Sequence, residues 1–423
     1  PAYRPITPET IGGTRYWSRL DREARDAIRV MAPVLPFRTN RYVLNRLVDW
    51  SRIPDDPIFR LTFPHRDMLD PEVYARLRDA HDNGGPTGAR RVARSIHARW
   101  NPHPQGQTTH NVPSLDGRRL AGIQHKYRET VLFFPAGGQK CFGYCAYCFR
   151  WPQFGGTPGM RFSAPDARDL VAYLRRSPEV TDVLVTGGDP LTLPAARLRR
   201  FIEPILDPGL GHVQNIRIGT KSPASWPHRF LTDDDADDLL RLFEDVVAAG
   251  RHLAVMAHYV HPVELEPPEA RAALARIRAT GAEVRTQAPI VRHVNDRPAV
   301  WADLWREMVR LGAVPYYMFI PRDTGPSSYF EIPLVRAHDI FRDAYARVSG
   351  LARSVRGPVM SATPGKVRVL GVRDEGGRRA FILDFLQARD PDLVRRPFLA
   401  RYNPDAVWFD ELRPLEGERF PHI

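Results

Sequence analysis

Cys141-Phe142-Gly143-Tyr144-Cys145-Ala146-Tyr147-Cys148 directly follows a short apolar run at 131–134 and holds every cysteine of the 423-residue chain. Three thiols spaced C-x3-C-x2-C cannot pair off into disulfides. They also fall one ligand short of a tetrahedral zinc or a four-thiolate cluster. Three protein ligands leave one metal position open, as a [4Fe–4S] cluster requires if its fourth iron is to bind another molecule directly. A zinc knuckle completed by one of the 14 histidines is a second reading, but zinc sites more often bring C-x2-C pairs with a second pair downstream. A third reading, buried thiols packed as small apolar groups, leaves unexplained why the rest of the chain avoids cysteine. The cluster is the reading adopted, with Cys141, Cys145 and Cys148 as ligands.

Downstream of this loop the sequence alternates regularly. Helical periodicity at 166–177, 197–206, 233–249, 268–280 and 299–311 separates apolar runs at 182–186, 215–220, 253–258, 283–288 and 314–320. With 131–134, these make six strand–helix units, predicting an α/β fold in which a parallel sheet with right-handed crossovers curls into a partial (β/α)6 barrel. Chemistry in such barrels gathers at the C-terminal strand ends. The cysteine loop, Gly187-Gly188-Asp189, Thr220-Lys221, His258, Gln287 and Arg322 all fall there.

Residues 1–120 read as a mostly helical N-terminal extension, with a loop at 101–116, and 121–333 as the barrel core. Residues 334–423 read as a smaller α+β segment, with a helix at 337–348, a hairpin of 367–372 and 379–385, and a tail without strong period. The 43% hydrophobic content suits a large core. No apolar run approaches the ~18 residues of a membrane span, and no signal-peptide pattern opens the sequence, so a cytoplasmic location is expected. The net charge of +12 is diffuse: Arg168, Arg175, Arg176, Arg197, Arg199 and Arg200 lie among acidic residues and form no stripe. Nucleic acid is not an expected partner, and anionic small molecules are. Of 61 basic residues only four are lysines, Lys126, Lys140, Lys221 and Lys366. A lysine kept against that bias is a candidate for amine chemistry, which a guanidinium cannot perform.

The cysteine spacing, with an aromatic before the last cysteine, resembles the radical S-adenosylmethionine (SAM) enzymes. Several further segments are similar to lysine 2,3-aminomutase and its relatives: 127–132, Thr186-Gly187-Gly188-Asp189-Pro190-Leu191, 216–220, 257–262, Gln287 with 292–296, and Pro315-Tyr316-Tyr317. The similarity spans roughly residues 100 to 370. It implies a [4Fe–4S] cluster, SAM and pyridoxal 5′-phosphate (PLP) as cofactors, with a radical taking a β-hydrogen and nitrogen moving from Cα to Cβ of an amino acid. It further implies a small-molecule amino acid substrate, an electron donor such as flavodoxin or ferredoxin, and a homo-oligomer. A radical SAM/PLP dehydratase or deaminase, a radical SAM modifier of protein or RNA, and a non-catalytic iron–sulfur or zinc protein are the alternatives.

Carried over by position, Lys366 would hold PLP, with Lys126 as phosphate partner and Tyr127 beside it. Thr130 stands where the family has an arginine. Cofactor contacts are implied at Gly187, Gly188, Asp189, Arg217, His258 and Gln287, with Asp189 accepting from the ammonium of SAM. Arg150 would grip the substrate α-carboxylate. Lysine-specific members hold the substrate ε-ammonium with two aspartates, and those positions fall on Arg322, beside Asp323, and near Ser361. A cation and a hydroxyl in place of two anions reverse the charge of the subsite, favouring a glutamate-like side chain. If Asp323 points inward instead, a basic substrate fits. The cysteines of a structural zinc seen in some relatives are absent.

Overall fold

The computed structural model describes residues 2–154 and 159–420. Its centre is one 11-stranded sheet whose strands lie in chain order: β1 (Ile123–Tyr127), β2 (Thr130–Phe133), β3 (Asp182–Val185), β4 (Asn215–Thr220), β5 (His252–His258), β6 (Glu283–Pro289), β7 (Val314–Phe319), β8 (Arg356–Ser361), β9 (Gly365–Glu375), β10 (Arg378–Ala388) and β11 (Phe398–Arg401). Strands β2 to β8 are parallel, while β1 and β9 to β11 add antiparallel margins. The central runs bury Val183, Val185, Ile216, Ile218, Val255 and Val284. Such apolar runs suit strands covered on both faces, as in a parallel sheet wrapped by helices.

The six expected strands form, and the helices Arg168–Arg175, Ala195–Ile202, Ala236–Ala248, Pro268–Ala279 and Pro298–Arg310 connect them. The result is the α/β partial barrel expected. A seventh parallel strand, β8, was not expected: Arg-Gly-Pro-Val-Met-Ser carries two strand breakers and no alternation. Gly357 is needed there because a Cβ would lie 2.6 Å from the Met318 carbonyl oxygen of β7. The hairpin β9–β10 is longer than its apolar pattern indicated, and β11 arises within the tail read as aperiodic. The helix expected at 337–348 forms as Leu334–Tyr345.

The first hundred residues are helical, as expected. Asp21 caps Arg22–Met31 by accepting from Ala24 N at 2.7 Å, and Asp56 caps Pro57–Thr62 by accepting from Phe59 N at 2.7 Å. Ile28, Leu44, Phe59 and Leu77 join the same apolar core as the barrel. Among the described residues no helix is long and apolar enough to cross a membrane.

Candidate active site at the strand ends

The cysteine loop leaves β2 and is held by chain far away in sequence. Tyr144 N donates to Arg38 O (2.7 Å), and Ala146 N donates to Leu61 O (2.8 Å). The Phe142 carbonyl accepts from Tyr3 Oη (3.1 Å) and from Asn40 Nδ2 (3.0 Å), which also reaches Ser225 O. The Tyr3 ring meets Phe142 edge-on at 4.8 Å. Sequence reading missed this clasp, because nothing local in 1–61 marks it. Burial raises all three thiols, Cys145 to about 12, and neighbouring thiols push Cys141 and Cys145 further the same way. Three thiols in one loop, each costly to ionise without a counter-cation, fit a metal cluster, whose cations replace the protons.

The turn after β3 lies against this loop. Asp189 N donates to Lys140 O at 2.6 Å, and a Cβ on Gly188 would fall 2.5 Å from that same oxygen and 2.6 Å from Lys140 N. Gly188→Ala should therefore displace the backbone just before Cys141. The expected loss is about 1–3 kcal/mol of stability, read as a lower denaturation midpoint with reduced iron retention. An unchanged midpoint and full iron would contradict it. Asp189 itself is buried, and its carboxylate accepts from Thr220 Oγ1 (2.8 Å), Ser222 Oγ (2.8 Å), Lys221 N (2.9 Å) and Leu191 N (3.0 Å). Both oxygens tie the ends of β3 and β4 together. His258, at the end of β5, sits 2.5 Å from Tyr147 Oη and is driven well below its ordinary range by burial, so its ring is neutral. Gln287 is its neighbour in register on β6.

Lys366 is the second residue of β9, facing Ser361 on one side and Gln387 on the other. Its Nζ donates to Gln387 Oε1 (2.7 Å) and lies 4.7 Å from the Tyr317 ring centroid and 5.4 Å from that of Tyr127. Burial lowers it to about 7, with the guanidiniums of Arg217 and Arg356 adding to the effect. Lys126 donates to Ala362 O and is lowered to about 6, by burial first and then by Arg322, Arg389 and Lys366. Asp182, the carboxylate acting on Lys366, is held by Arg217 (Nε–Oδ1 2.8 Å) and by Thr130 Oγ1 (3.1 Å). The recess thus joins two deprotonatable amines, two tyrosine rings and several guanidiniums. Sequence reading missed Gln387 and Arg356, which sit on strands longer than, or absent from, the apolar pattern.

Arg150 and Arg322 converge on Phe149, their guanidinium carbons 4.9 and 4.8 Å from its ring centroid. Burial lowers both, and the charge of Arg322 takes Arg150 further, to about 10. Arg322 Nη2 reaches Ser361 Oγ at 3.4 Å. Asp323 turns the other way, with its Oδ2 3.1 Å from His103 Nε2, which is itself 3.5 Å from Asp410. Of the residues expected in the site, the structure gathers Arg150, Arg322, Ser361, Lys126, Tyr127 and Lys366. It sends the Asp323 side chain elsewhere.

No protein-family model matches the chain. A provisionally named L-lysine 2,3-aminomutase of Aquifex aeolicus is 30% identical over 407 residues, covering 96% of this chain and 95% of that protein. The L-lysine 2,3-aminomutase of Haemophilus influenzae is 29% identical over 261 residues, covering 60% of this chain and 72% of its own. Among solved structures, a radical SAM methyltransferase of Sphaerobacter thermophilus matches over 83% of this chain and 93% of its own, at 15% identity and a TM-score of 0.39. Near-complete coverage at 30% identity decides the matter: the chain belongs to the lysine 2,3-aminomutase family of radical SAM enzymes.

Proposed function

We propose that this radical SAM aminomutase uses PLP and moves the amino group from Cα to Cβ of an amino acid with an anionic side chain, glutamate or a close analogue. Cys141, Cys145 and Cys148 would hold the [4Fe–4S] cluster, with the turn at Gly187 and Gly188, His258 and Gln287 around the SAM beside it. Lys366 would hold PLP, with Lys126 toward its phosphate and Tyr127 and Tyr317 as walls. When bound, these groups supply a 5′-deoxyadenosyl radical and an electron sink for the migrating nitrogen. The chain's own task is to hold, orient and desolvate. Lys366, lowered to about 7, has a substantial share of free amine at neutral pH, which a lysine at its ordinary value does not. The guanidinium of Arg150 grips the α-carboxylate. The reading also takes in a low-potential electron donor such as flavodoxin or ferredoxin, a homo-oligomer and a cytoplasmic location.

One observation carries the substrate assignment: the Arg322 guanidinium shares the Phe149 ring with Arg150 while Asp323 pairs with His103. Two half-buried guanidiniums on one ring fit a dicarboxylate, whereas an ammonium there would meet repulsion from both. Anaerobically reconstituted enzyme should convert glutamate faster than lysine by roughly two orders of magnitude. Loss of one partner of a buried charge pair costs about 2–5 kcal/mol, so Arg322→Asp should lower glutamate turnover steeply. Mass spectrometry of β-amino acid products checks both, and faster conversion of lysine by the wild-type enzyme would overturn the assignment.

A further inference from the structure

The site accounts for Lys126 and Lys366 but leaves unexplained why a lysine persists at 221, against the chain's strong use of arginine. Lys221 follows β4, and its backbone N–H donates to Asp189 at 2.9 Å. The side chain runs under the cysteine loop, where Nζ donates to Glu264 Oε1 (2.5 Å) and to the His258 carbonyl (3.3 Å). Lys221 is 13% exposed and Glu264 1%. Glu264 is fixed in turn, accepting from Val260 N and His261 N. Lys221, Glu264, Cys145, Tyr144 and Ser225 line one cavity of about 20 Å³, close to the space of a single water. Charges facing a ligand sulfur across so little water are poorly screened.

We propose that the Lys221–Glu264 pair sets the reduction potential of the metal cluster held by Cys145, the ammonium raising it and the carboxylate lowering it. The inference rests on the cluster reading above. One-electron reduction of the cluster by a low-potential donor adds one negative charge and moves no proton, so a nearby cation stabilises the reduced form and a nearby anion the oxidised form. The other charges facing the cysteines are Arg38 and Asp189 at Cys141 and Arg150 at Cys148. Lysine suits the place because its compact ammonium reaches the carboxylate and the carbonyl together, where a planar guanidinium needs more room.

The test is a redox titration of the reconstituted full-length protein, followed by the electron paramagnetic resonance of the reduced cluster, with iron content measured on the same samples. Lys221→Gln should shift the midpoint down, and Glu264→Gln should shift it up. A tenfold change in the ratio of reduced to oxidised cluster at fixed potential, about 59 mV for a one-electron couple, is the expected scale. A structural role alone would not give shifts of opposite sign. Full iron with midpoints that do not move, or that move in the same direction for both glutamine variants, overturns the inference. A wild-type protein that binds zinc and no iron overturns the cluster reading and the inference with it.

Discussion

Alanine in place of Cys145 is expected to abolish SAM cleavage while leaving the barrel folded. The loop's backbone is fixed by the Arg38 and Leu61 carbonyls and by the Asn40 side-chain amide, none of which involves the sulfurs, so removing one thiol leaves the scaffold standing. What disappears is a ligand. Two thiolates cannot anchor a cluster that needs three to present an open iron. Anaerobically purified wild type should carry about four irons per chain and the broad brown absorbance of such clusters. The variant should lose that absorbance and release no 5′-deoxyadenosine above background when reduced with SAM. The same outcome is expected at Cys141 and Cys148. Retained iron and cleavage in any one of the three variants would remove that residue from the ligand set.

The second large effect belongs to Lys366. With PLP supplied, borohydride should trap a pyridoxyl adduct on this residue, and Lys366→Met should lose both the adduct and product formation. The chain offers a sharp internal control, because Lys126 in the same recess is also shifted down, to about 6. Nucleophilicity alone therefore does not choose between them. Position does: Lys126 Nζ is engaged by the Ala362 carbonyl, whereas Lys366 lies between two tyrosine rings with a side-chain amide as its partner. The pH profile follows from burial. The Lys366 ammonium loses its proton near 7 instead of near its ordinary 10.5, so trapping should be complete above pH 8 and fall as pH drops through 7. An adduct mapping to Lys126, Lys140 or Lys221, or a profile rising only near pH 10, would refute the assignment.

Much of the barrel was legible because buried parallel strands are written as short apolar runs bounded by turn residues, as at 182–186 and 215–220. Strand β8 was not, since a segment with Gly and Pro becomes a strand only when a neighbour such as β7 offers it a ladder. The cysteines and the lone lysines stood out because few residue types can do their chemistry. The directions of Arg322 and Asp323 could not be read. They are adjacent at one strand end, and which enters the recess depends on His103 and Asp410, brought there from distant parts of the chain. Asp189 draws three of its four donors from Thr220, Lys221 and Ser222, a whole strand–helix unit away. Long-range contacts of this kind leave no local pattern.

The clasp formed by Tyr3, Arg38, Asn40 and Leu61 has a consequence for biosynthesis. Translation is vectorial, so these residues leave the ribosome before the loop they grip, with Asn40 and Phe142 separated by 102 positions. At about 5–20 residues per second, several seconds pass between the emergence of the N-terminal side of the clasp and that of the loop. The cysteines can be fixed by the clasp only after that wait, because the loop that carries them leaves the ribosome last of the two.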